Sequence, residues 1–142
     1  MRLVNRLFRS FAAVVLGYAV IVICTSVGFA RLGGIVHLNA PFGVQAAAAL
    51  VAIVSGLLGG LTASIVAGSH PVRHAAAVLI FLAIDTGVVL SRHSEDPAWF
   101  ELSGSATLMI ATILGGVLYL LVVRRNELEF RSCNSWRNVF KS

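Results

Sequence analysis

The chain has 142 residues, 58% of them apolar and only 12% charged, with a mean hydropathy of +0.89 and a formal charge of +5. Water-soluble domains carry roughly a quarter charged residues, so too little polar sequence remains here to coat a soluble bundle. The basic excess is not a nucleic-acid footprint, because the arginines flank apolar runs and form no patch interleaved with aromatic residues.

Four apolar runs reach the ~17–25 residues that cross a bilayer as a helix: Phe11–Ala30, Val44–Ala67, Val72–Leu90 and Leu102–Val123. Ahead of the first, Leu3, Val4, Leu7, Phe8 and Phe11 alternate at helical spacing with Arg2, Asn5, Arg6 and Arg9. That pattern predicts a short basic helix in the headgroup layer before the chain turns into the membrane. The apolar run that follows is longer than the roughly 7–15 residues of a signal-peptide core, which favours a retained span. Gly33, Gly34, Asn39, Pro41 and Gly43 make the next connection a loop.

In the second span Ala48, Ala52, Gly56, Gly60, Ser64 and Gly68 recur every fourth residue. On a helix they form one drifting strip of small side chains. Lipid gives helices no hydrophobic reason to associate, so such a strip is where a neighbour can come close. The turn that follows is tight. Gly68 is placed to end one helix in the left-handed conformation and Pro71 to open the next, with Ser69 or His70 as its N-cap. This predicts an antiparallel hairpin of spans two and three as the firmest tertiary contact. The third span is the shortest, with ~24 Å of apolar helix from Ala75 to Leu90, so it calls for bilayer thinning or for Arg73 and His74 to reach the headgroups.

The second loop is acidic, with Glu95, Asp96 and Glu101, and Trp99 and Phe100 stand at the interface where the fourth span begins. In that span Ser103, Thr107, Ala111 and Gly115 are again four apart, a second strip. The segments 52–61 and 108–117 share Leu-Gly-Gly, a hint of duplicated hairpins. Residues 124–142 read as a cytoplasmic tail, either loosely amphipathic on the inner leaflet or disordered. Cys24 and Cys133 lie too far apart in the topology to pair.

Nine of the eleven basic residues fall on one side of this four-span plan, leaving only Arg31 and Arg92 on the other. The positive-inside rule then puts both termini in the cytoplasm. The expected fold is an all-α integral membrane four-helix bundle, N-in/C-in, forming one domain in the bacterial inner membrane with lipid headgroups as counter-charge.

Asp85 is the one acid inside a span. Burying it costs ~2.5–3.5 kcal/mol even on the lenient insertion scale, so it calls for protein, water or a partner charge. Arg92 at i+7 and Arg31 at the end of the first span are candidate partners, and Thr25 and Thr107 are candidate hydrogen-bond donors at similar depth. Against a protonatable or cation-binding carboxylate stands a plainer role as a paired acid that fixes packing. The packing residues proper are Ala52, Gly56, Gly60, Ser64 and Gly115. His70 and His74 have metal-ligand spacing, but Pro71 puts His70 at the helix start and nothing nearby completes a site. His37 and His93 in the external loops are a remote metal pair, and no histidine inside a span offers a haem ligand. Hydrolase, zinc-protease and phosphate-loop motifs are absent, so no enzyme activity and no cofactor are expected.

Residues 59–76, GGLTASIVAGSHPVRHAA, resemble a hairpin pattern of small uncharacterised bacterial four-span inner-membrane proteins. Gly59, Gly60, Ala63, Ala67, Pro71, His74 and Ala75 carry the resemblance. The chain departs from it at Leu61, where an aromatic is common, and in having Arg73 as its only arginine or lysine in the turn. The resemblance implies the fold and no activity. The leading expectation is a non-enzymatic accessory or packing subunit, as a homo-oligomer or with other membrane-protein subunits and with no nucleic acid, because two strips of small residues look unmatched. The alternative is a small transporter or channel working through Asp85.

Overall fold

The computed structural model describes residues 2–34, 36–68, 70–92 and 96–139, of which 2–6, 124 and 126–139 are described by backbone alone. Among the described residues there are four helices and no strand: α1 (Arg2–Arg31), α2 (Phe42–Ala67), α3 (Pro71–Ser91) and α4 (Ala98–Val139). Each is long and apolar enough to cross a membrane, which makes this a small polytopic membrane protein. Leucines, isoleucines and valines project outward from every helix, as they do where lipid is the solvent.

Helix boundaries differ from the expectation in three places. The basic lead-in does not turn along the surface, because α1 is one unbroken helix of 30 residues, ~45 Å long. No glycine or proline interrupts the junction at Ser10–Phe11, so nothing there favours a bend. Helix α3 starts before its apolar run: Pro71 and the polar residues after it are already helical, and its 21 residues, the fewest of the four helices, cover ~31 Å. At the far end α4 runs on to Val139 as a helix of 42 residues. The side chains of the expected tail face lie outside the described residues.

The turn between α2 and α3 follows its residue types. Gly68 takes φ 65°, and its N–H donates to the Ser64 carbonyl 3.1 Å away. Pro71 opens α3 at its first turn. His70 occupies the N-cap with φ 48° but makes no side-chain capping bond, while Ser69 lies outside the described residues. The Ser64 hydroxyl instead donates to the carbonyls of Gly60 (2.8 Å) and Pro71 (3.3 Å), tying the turn to its own helix.

Packing is organised around α2, and the hairpin is not its main contact. Helix α2 meets α4 and α1 far more extensively than it meets α3, and the backbones of α1 and α4 do not approach each other among the described residues. In cross-section the bundle is a diamond with α2 and α3 on its short diagonal. That shape breaks the two-fold relation a duplicated hairpin would impose, since α2–α3 contact has no α4–α1 counterpart. The glycine pairs disagree as well. Gly59 faces α1 and Gly60 faces α4, whereas Gly115 faces α2 and Gly116 faces α3.

The core contains few large side chains. The largest fully buried ones are Ile21, Val78, Thr112, Ser55 and Ser64. A Cβ on Gly56 would stand 2.7 Å from the Leu108 carbonyl oxygen, and one on Gly60 would collide with the Thr112 carbonyl. On the other side, a Cβ on Gly17 would lie 3.0 Å from the Gly59 carbonyl oxygen and 2.8 Å from Ala63. Helices α1 and α4 therefore close on α2 backbone to backbone, where dispersion between many atoms takes over from side-chain interdigitation.

Candidate functional site

Among the described residues, the buried positions of α3 and α4 all lie in the half of the bundle nearest the tight turn. On α3 burial ends at Leu82, and on α4 it begins only at Ala111. Nothing stands within 4 Å of a Cβ placed on Gly87 or Gly104. Toward the end that carries the two loops, both helices are therefore open on most sides.

Asp85 lies in this open half. Positions seven apart stack on one helical face, so Val78, Asp85 and Arg92 form a line up α3. Val78 is fully buried and packs beside Gly17, yet Asp85, two turns on, is exposed. One turn below it Phe81 meets the Tyr18 ring of α1, with centroids 5.7 Å apart. The Tyr18 hydroxyl is within electrostatic reach of the Asp85 carboxylate.

The other residues picked out by the sequence do not gather around it. Thr25 donates to its own helix, to Ile21 O (2.8 Å) and Val22 O (3.1 Å), and Thr107 donates to Ser103 O (2.8 Å). Arg31 and Arg92 are exposed and, among the described residues, form no ion pair. Asp85 likewise has neither a hydrogen bond nor an ion pair there. The small residues fare differently. Ala52, Gly56, Gly60, Ser64 and Gly115 are all buried, and the three glycines lie in the α2–α4 crossing. The two strips that looked available to an oligomer thus meet inside the chain in the half nearest the tight turn, Gly56 against Ala111 and Gly115 against the α2 backbone, while Ser103 stays exposed.

A second polar cluster lies at the loop end. The Asp96 carboxylate accepts the Leu38 N–H at 3.0 Å on one oxygen and His37 Nδ1 at 2.8 Å on the other. Its side chain keeps 8% of its surface exposed, against 56% for His37. The Leu38 amide first, and then His37, hold this carboxyl below its ordinary value. Gln45 folds the first loop back by donating to the carbonyls of Leu38 and Ala40. The two loops are thereby tied across the end of the bundle.

No family model, curated protein or solved structure matches this chain. Its chemistry has to be argued from its own residues. Reading the sequence alone missed the His37–Asp96 contact, since 59 residues separate the pair. The one available signal was a histidine in one loop and an acid in the other, on the same side of a four-span plan. His93, considered with His37 as a metal pair, lies outside the described residues.

Proposed function

We propose that this protein is a non-enzymatic accessory subunit of the bacterial inner membrane, oriented with both termini in the cytoplasm, that packs laterally on another membrane protein through the α3 face bearing Asp85. One observation carries the reading: a carboxylate inside a span, exposed on the isolated chain and, among the described residues, with neither a hydrogen bond nor an ion pair. It lies about six residues, ~9–10 Å, below the end of its helix, farther than a short aspartate side chain can snorkel. Left in lipid it is costly. A neighbouring helix that presents a hydrogen-bond donor or a basic group removes that cost. The second copy of a homo-oligomer and a different subunit are both occupants of this kind.

The test is native mass measurement and in-membrane crosslinking of the wild type, Asp85→Asn and Asp85→Leu. The wild type is expected as a complex that Asp85→Leu reduces to monomer without loss of helix content, with Asp85→Asn in between. A wild type that is monomeric and brings no partner with it removes the reading. If Asp85→Asn instead abolished a pH-dependent flux in reconstituted vesicles, a transporter or channel working through this residue would replace it.

A further inference from the structure

We propose that the tight-turn end of the bundle binds the phosphate of an anionic ligand at a site formed by Arg9 of α1 and Arg73 of α3, flanked by His70 and His74. Arg9 is held in place. Its Nε donates to the Val66 carbonyl, 2.7 Å away, in the last turn of α2. A Cβ on Gly68 would stand only 2.5 Å from its Nη2, so the guanidinium lies directly against the turn. This leaves the planar N–H fork at its end without a protein acceptor among the described residues. A fixed guanidinium fork suits two phosphate oxygens, and being preorganised it loses little entropy on binding.

Arg73 is exposed in the first turn of α3, a helix that packs beside α1, and it too has no ion pair among the described residues. His70 and His74 belong to the same turn, with His74 Nδ1 3.1 Å from the His70 carbonyl oxygen. The described acidic side chains, Asp85, Asp96 and Glu101, all lie in the other half of the bundle. The basic groups at this end are therefore not neutralised by them. A lipid phosphodiester lies at this depth in a bilayer, at the end of a membrane-spanning helix. Free phosphate shares its chemistry.

Native mass spectrometry of the full chain in detergent, titrated with phosphatidylglycerol or phosphatidylcholine, tests the site. Phosphatidylglycerol is expected to bind more tightly. Arg73→Gln and Arg9→Gln should each weaken it about fivefold, while Arg31→Gln and Arg92→Gln at the loop end leave it unchanged. Inorganic phosphate is titrated separately. If it displaces the bound phosphatidylglycerol, the site takes free anions as well; if it does not, the ligand is the lipid, and the phosphate assignment stands in both cases. Because Arg9 also closes α2, a thermal melt checks that Arg9→Gln folds. Arg73 is exposed, so Arg73→Gln carries the test alone if Arg9→Gln does not fold. Equal affinity for the two lipids, or an affinity that neither substitution moves, overturns the site. The outcome does not depend on what covers Asp85.

Discussion

A methyl group at position 60 has nowhere to go, because the Thr112 carbonyl already occupies its place. Gly60→Val should therefore cost about 1–3 kcal/mol as α4 is pushed off α2. Gly104→Ala meets nothing within 4 Å and, inside a helix, should hold or raise stability, by up to about 1 kcal/mol. Denaturation in detergent, followed by circular dichroism, separates the two. Equal losses at both positions would mean that α2 and α4 do not cross at these glycines. The contrast was only half legible in the sequence. Spacing marks Gly60 as one of a strip, but Gly104 and Gly87 look no less suited to packing until their surroundings are seen. Asp85 is a similar case, since its rarity in a span is plain from composition while its exposure, with no ion pair among the described residues, is a fact of three dimensions.

Each helix owes its existence to local pattern and its neighbours to a finer one. Helix α2 carries small residues on two sides: Gly56 and Gly60 admit α4, while Gly59 and Ala63 admit α1. The strip read at four-residue spacing is only the first of these. The second lies one residue out of register, about 100° around the helix, and Gly17 of α1 completes it. The loops show a long-range tie of another kind. Asp96 is held below its ordinary carboxyl range by the Leu38 amide and by His37. A lowered native value means that the tie contributes fully above the unfolded carboxylate range, roughly pH 4, and is lost as the pH falls through the lowered value. The protection of the Leu38 amide against hydrogen exchange, taken relative to the intrinsic rate at each pH, should therefore be high at neutral pH and fall in acid, and Asp96→Ala should lower it throughout. Protection of Leu38 that ignores both pH and the substitution would show that the carboxylate does not hold the loop.

For the whole molecule, four crossings return the chain to the side on which it started. In the proposed orientation that side is the cytoplasm, so a fluorescent reporter fused after Ser142 should light up and an alkaline phosphatase fusion there should stay silent. The reverse pattern would overturn the orientation. That the chain spans a membrane as four helices was settled by sequence alone, because hydrocarbon tolerates no unpaired backbone and twenty apolar residues leave the helix as the economical solution. The cross-section was decided only by tertiary structure. Which glycine meets which helix, why α2 packs on α1 and α4 more than on its own hairpin partner, and why Asp85 is left open all depend on sub-ångström clearances between backbones. Helical periodicity shows that a face is smooth, but not what will come to rest on it.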